Sequence, residues 1–202
     1  MILKDLPFYY LSCPSRMSRL KRLNELISEM EITATTFFNN STDSLRQNRI
    51  SVGFINLLKL ILERNIFPCV TIDDDVQLIK KLPESFPISN DIDFIVLGGS
   101  LYSPGNRKIK LTLHNDTYYR VYYMMSYHSM IIPRRETAMF LLELVEKSLK
   151  ENKFLDKDLS LKSEEKVFVT PKDGPYFYQD NYNEKSTRFL WENIKDKCLS
   201  LH

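Results

Sequence analysis

Cysteine is scarce and scattered. Cys13, Cys69 and Cys198 are far apart and odd in number, which excludes a disulfide framework and a cysteine-based metal site and fits a reducing compartment. Histidine occurs only at 114, 128 and 202, too few to furnish an imidazole-rich nuclease or phosphatase centre on the acidic residues. No stretch reaches about 18 consecutive apolar residues, so no membrane-spanning helix is expected. The N-terminus meets Lys4 and Asp5 early and has no long apolar segment, so no signal peptide is expected. Glycine is sparse, and no Pro/Gly/Ser-rich linker or internal repeat divides the chain. The net charge of +2 does not mark a nucleic-acid binder, although local basic clusters exist. What remains is ordinary globular material: 202 residues, 43% hydrophobic and 27% charged, enough for one domain with a real core. Abundant Lys, Asn, Ile, Tyr and Ser is a bias of AT-rich microbial and viral genes, which suggests the cytoplasm of a bacterium or of a virus-infected cell.

Apolar patterning places the elements. Strands are expected at 7–12, 33–38, 68–72, 92–97, 109–113, 118–123, 127–132 and 167–170, where β-branched and aromatic residues concentrate. Helices are expected after Ser15, with Leu20, Leu23, Ile27 and Met30 on one face, and at 51–65, 134–151 and 186–199. A short helix is expected at 76–82, a mobile loop at 39–48, and a charged loop from Asp156 to Lys166. Gly98-Gly99 reads as the stop of the strand before it, either a plain turn or a place where backbone approaches a ligand. Strand and helix alternate in the first half, and strands cluster in the second. This predicts a single α/β domain over 1–202, with a mainly parallel sheet, helices on both faces and an antiparallel addition.

The run Val70-Thr71-Ile72-Asp73-Asp74-Asp75-Val76 is the chemical centre of the sequence. An apolar strand ends in three adjacent carboxylates, whose mutual repulsion calls for a cation. In extended backbone Asp73 and Asp75 share a face about 7 Å apart, twice the strand rise, which suits a divalent ion and the ligand it holds. The alternative is an acidic turn whose aspartates cap a following helix. Carboxylates at the carboxyl end of a strand in an open α/β sheet stand where ligands bind.

Several segments, in order, resemble the family-25 glycosyltransferases, the lipooligosaccharide and procollagen galactosyltransferases. Strand 7–12 leads to Arg16 and Arg19 at the head of a helix, where the family has Asn-Leu-x-x-Arg-x-x-x-Arg. A Gly-led helix starts at Gly53, Ile72-Asp73-Asp74-Asp75-Val76 matches Leu-Glu-Asp-Asp-Val, and Tyr127-His128-Ser129 matches a small-His-Ala-Tyr strand. Leu155-Asp156-Lys157-Asp158-Leu159 resembles Ile-Asp-x-x-Leu, and Pro175-Tyr176-Phe177-Tyr178-Gln179 resembles Pro-aromatic-aromatic-x-Gln. The likeness spans about 7–187. It departs at Leu57-Leu58, where the family has Ser-His, at Leu11-Ser12, and at 183–187, which lacks Ser-Asp.

The resemblance implies a nucleotide-diphospho-sugar transferase (GT-A-like) fold and a sugar donor, a UDP-sugar first among them. It implies Mn²⁺ or Mg²⁺ at Asp75, with His128 as a further ligand and Asp73 on the ribose or the metal. Arg16, Arg19 and the Gly98-Gly99 pair would contact the donor, Asp156 would be the general base, and Gln179 and Tyr178 would line the acceptor site. Each residue has a plainer reading: His128 as a half-buried polar partner of Tyr127 and Ser126, Asp156 as a solvated charge, the arginines as a helix's wet face, and the aromatics as core.

The acceptor is a saccharide or a modified base in DNA. For DNA, Arg107, Lys108, Lys110, Tyr118, Tyr119, Arg120, Tyr122 and Tyr123 would offer phosphate contacts and stacking; otherwise they form a solvated hairpin with an aromatic core face. A nucleotide-sugar-binding module without turnover is the third possibility.

Overall fold

The structure, a computed structural model, describes residues 2–12, 17–39, 46–100, 102–179, 191–193, 195 and 196. Its strands are β1 (Phe8–Ser12), β2 (Ala34–Phe38), β3 (Cys69–Asp73), β4 (Val76–Leu78), β5 (Phe94–Ser100), β6 (Lys110–Leu113), β7 (Tyr118–Tyr122), β8 (Met125–Ile132), β9 (Phe168–Pro171) and β10 (Phe177–Gln179). Its helices are α1 (Met17–Glu29), α2 (Arg46–Glu63), α3 (Arg135–Lys150) and α4 (Leu155–Leu161). Eight strands form one sheet in the order β2-β1-β3-β8-β5-β9-β7-β6, and β4 and β10 form a separate ribbon.

The expected architecture is present. β2, β1, β3, β5, β9 and β6 run one way, and β8 and β7 run against them. Parallel pairing of β1 with β2 and with β3 requires crossovers, which α1 and α2 provide.

Alternation along each strand builds two cores. Phe8, Tyr10, Val70, Ile72, Ile95, Leu97, Ile131 and Val169 pack with Leu23, Leu26 and Met30 of α1. Tyr9, Cys69, Phe94, Val96, Met130, Ile132 and Phe168 pack with Leu58, Ile61 and Leu62 of α2 and with Ala138, Leu141 and Val145 of α3. On that second face the rings of Phe94 and Phe168 stack at 4.6 Å.

Three local expectations are corrected. Residues 76–82 do not form a helix: Val76–Leu78 is a strand, antiparallel to β10 through Val76–Gln179, Gln77–Tyr178 and Leu78–Phe177. A partner a hundred residues away decided a conformation that local pattern left open. The charged segment after Asp156 is not a loop, because Leu155–Leu161 is helical and Lys162–Glu164 continues as a 3₁₀ turn. Leu155 and Leu159, four apart, give the helix an inner face. Nor does Gly98-Gly99 stop its strand; β5 runs through both to Ser100.

Of the expected loop at 39–48, residues 40–45 lie outside the described residues, while 46–48 already belong to α2. Of the expected last helix, 191–193 and 195–196 are described and helical.

Candidate functional site

The carboxyl ends of β1, β3 and β5 and the start of β8 lie at one edge of the sheet, as their registers require. The acidic run stands at this edge. Asp73 ends β3 and is exposed, whereas Asp74 and Asp75 form the turn into β4 and are buried. The chain therefore bends where an extended backbone was expected, and the alternation that would pair Asp73 with Asp75 stops at Asp74.

Two side chains from neighbouring elements hold this turn. Ser12, the last residue of β1, donates its hydroxyl to Asp74 Oδ2 at 2.9 Å. Arg19, in the first turn of α1, donates from Nη1 to Asp74 Oδ1 at 3.4 Å and to Asp75 Oδ2 at 3.0 Å. The cation that three adjacent carboxylates demand is thus supplied in part by the protein itself. Asp74 and Ser12 were missed from sequence. Their positions at strand ends were visible, but their contact, across 62 residues of chain, was not.

His128 approaches the same edge from β8. The β3–β8 ladder ends at the pair Ile72–Ser129, so Asp73 and His128 are each the next residue along their own strands. The imidazole is 2% exposed, and its Nδ1 has no hydrogen-bond partner. Burial pushes its pKa down to about 3, so it is neutral at physiological pH. A Cβ on Gly98 would lie 3.2 Å from His128 Cδ2 and 2.8 Å from Phe177 Cβ. A Cβ on Gly99 would lie 2.5 Å from Met124 Sδ. What approaches the glycine pair is therefore this chain's own β10 and Met124.

Asp156 opens α4, and Ser126 Oγ, in β8, donates to its Oδ2 at 3.0 Å. Ser126 has the left-handed φ of 52°, which turns its side chain away from the regular ladder. Asp156 keeps an exposed edge, but crowding by protein desolvates its carboxyl and raises its pKa, opposed by the Ser126 hydroxyl. The same carboxylate, with burial, pushes the neighbouring Tyr127 phenol up.

Of the proposed acceptor residues, Tyr178 is half-buried on β10. Gln179 ends that strand, and its side chain lies outside the described part; Arg16 lies outside the described residues altogether. Tyr176 and Phe177 are core residues, Tyr176 edge-on to Phe86 at 5.7 Å.

The basic, aromatic hairpin is elsewhere, at the β6 end of the sheet. Arg107 lies over Tyr123 at 4.7 Å, and Arg120 and Lys110 lie over Tyr122 at 4.8 and 5.6 Å. Arg107 also pairs with Glu164 at 3.0 Å. Tyr118 and Tyr119 are buried on opposite faces of β7, one in each core.

Among the described residues no three His, Cys, Asp or Glu side chains converge as a metal cage. The acidic run nonetheless suits a hard cation held by one or two carboxylates, with ligand oxygens and water completing the shell. The orphaned His128 Nδ1 is a nitrogen donor of the kind that, as a ligand, would favour Mn²⁺ over Mg²⁺. Among the described residues, no helix is long and apolar enough to cross a membrane.

This order of strands, with acids at the tip of a central strand, is a nucleotide-diphospho-sugar transferase (GT-A-like) fold. No protein-family model and no curated protein matches the sequence. Among solved structures the chain is similar to a glycosyltransferase involved in the glycosylation of the major capsid of PBCV-1. That match has TM-score 0.56 and 8% identity, and covers 94% of this chain and 98% of the other. A CTP:phosphocholine cytidylyltransferase from Streptococcus pneumoniae has TM-score 0.46 and 10% identity over 92% of this chain and 97% of its own. A mutant Drosophila galactosyltransferase complexed with manganese, UDP-Gal and xylobiose has TM-score 0.46 and 11% identity, over 90% and 73%. At such identities the likeness is one of fold.

Proposed function

We propose that this chain is a glycosyltransferase that moves a sugar from a nucleotide-diphospho-sugar, a UDP-sugar first among them, to a hydroxyl acceptor. The observation that carries this reading is the acidic turn at the tip of β3. It follows the last registered pair of the β3–β8 ladder, Ile72–Ser129, and the next residue along β8 is the buried His128 with its Nδ1 unpartnered. Asp75 and Asp73, with His128, would hold Mn²⁺ or Mg²⁺. When bound, that ion neutralises charge on the departing diphosphate.

The chain's own residues do the rest. Arg19 stands beside the acidic turn and can reach phosphate oxygens, for which a guanidinium is well shaped. Asp156, whose pKa desolvation raises against the pull of the Ser126 hydroxyl, takes the proton from the acceptor hydroxyl. Tyr178, half-buried on β10, lines the acceptor site.

A saccharide acceptor is favoured over DNA. The faces of Tyr122 and Tyr123 are already covered by this chain's cations, so they do not present a stacking platform. A localisation in the cytoplasm of a bacterium or virus-infected cell is the setting in which such an enzyme meets soluble nucleotide sugars.

A thermal-shift panel of UDP-, GDP- and other nucleotide sugars, with and without Mn²⁺, tests the reading. A donor at a hundred times its Kd stabilises by about 2.7 kcal/mol through mass action. Asp75→Ala should abolish the metal-dependent part of that shift and the transfer of sugar. Transfer that survives Asp75→Ala undiminished removes the metal site from the proposal. No shift with any donor leaves only the fold.

A further inference from the structure

We infer that Arg19 is a built-in competitor for the metal at Asp75, so that the ion enters only together with a donor diphosphate. This rests on the proposed metal site and names its regulation. The guanidinium lies 3.0 Å from Asp75 Oδ2 and 3.4 Å from Asp74 Oδ1, and both contacts use the single nitrogen Nη1. An end-on contact forgoes the side-by-side pairing that makes arginine–carboxylate contacts tight. The N–H groups on Nε and Nη2 have no protein acceptor among the described residues, and the side chain is 25% exposed. Arg19 therefore holds the acidic turn loosely and keeps donors in reserve.

Asp74 also accepts the Ser12 hydroxyl at 2.9 Å, a contact that does not involve Arg19 and can retain the turn's shape. Asp75, on which Arg19 makes the shorter of its two contacts, is the carboxylate where an incoming ion competes with Arg19. A bare divalent ion meets an adjacent fixed positive charge and must displace it. An ion that arrives with a diphosphate brings oxygens onto which the spare N–H groups can move. The exchange costs the guanidinium no unpaired state, and Asp75 passes from one cation to another.

Titration of Mn²⁺ followed by the electron spin resonance of the free ion tests this without any turnover. Arg19→Gln, with no nucleotide present, should tighten Mn²⁺ binding on the order of tenfold, since a like charge a few ångströms away is gone. Arg19→Lys, which keeps the charge, should stay near wild type. UDP should tighten Mn²⁺ binding more in wild type than in Arg19→Gln. Unchanged or weaker Mn²⁺ affinity in Arg19→Gln, while Asp75→Asn still loses it, overturns the competition and leaves the metal site standing. Mn²⁺ binding indifferent to Asp75→Asn overturns the site and this inference with it. Should Arg19→Gln not fold, the Arg19 side-chain resonances of the wild-type protein give the second measurement. They should shift on adding Mg²⁺ and UDP together and not with Mg²⁺ alone; no shift with both overturns the exchange.

Discussion

Asp156 sits between two opposing influences. Crowding raises its pKa above the usual carboxylate value, and the Ser126 hydroxyl pulls it back. A general base works as the carboxylate, so transfer should fall as pH drops through this raised value. Ser126→Ala removes the opposing hydrogen bond, and the acidic limb of the rate profile should move to higher pH; a limb that stays in place separates Ser126 from the reaction. The native state holds this proton more tightly than the unfolded chain does. Its contribution to stability is therefore present at low pH and lost as pH rises through the folded value. Asp156→Asn should accordingly melt no lower than wild type at pH 7 while losing about 10²- to 10⁴-fold in transfer. A marked loss of stability instead would assign Asp156 to the fold. At this scale the sequence was partly legible. The acidic run was found because carboxylates are rare at the end of an apolar strand, whereas His128 and Asp156 were named by the family resemblance. The link from Arg19 to Asp74 was not, because it depends on a turn that breaks the alternation assumed for an extended chain.

The close packing of β5 against the β4–β10 ribbon is where an element, rather than a residue, sets the site. The register of β5 on β8 shifts between Val96 and Gly98, and Leu97 accepts a hydrogen bond from the backbone of Tyr176 at 2.7 Å. This contact carries β10, and with it Tyr178, to the edge where Asp75 turns into β4. Gly98 makes it possible, since any Cβ there would sit 2.8 Å from Phe177 Cβ and 3.0 Å from its carbonyl oxygen. Gly98→Ala should therefore cost about 1–3 kcal/mol in urea unfolding, as overpacking does, and should lower donor affinity by displacing the ribbon. Gly99→Ala meets only the end of Met124, a flexible side chain, and should cost clearly less. Equal costs at the two positions would mean that β10 does not lean on β5. The sequence hid this arrangement for one reason. Val76–Leu78 is three residues long and acquires its conformation from a strand far along the chain, so no local window contains the information.

The whole sheet is shared property. β1, β3, β5, β8 and β9 each send one set of side chains to the α1 face and the alternate set to the α2–α3 face. Neither core can dissolve without exposing the reverse side of the same strands, whose residues belong to the other. This is also why the architecture was legible: two-sided burial writes continuous apolar runs, such as 94–97 and 130–132, that need no partner to be recognised. Trp191 joins the same body. Trp191 is 2% exposed, and a side chain added at Gly174 would meet its Nε1 at 2.7 Å, so the indole is seated against that turn. One folding unit over the chain is the expectation that follows. Far-ultraviolet dichroism, which reads backbone, and Trp191 fluorescence, which reads one corner of the core, should then report the same urea midpoint. Trp191→Ala, followed by dichroism alone because it removes the chain's one tryptophan, should destabilise by about 3–5 kcal/mol, the usual cost of emptying a buried indole site. If the fluorescence transition instead came first in the wild-type protein, with the dichroism lagging, the last helix would be an appendage docked on a sheet that folds without it.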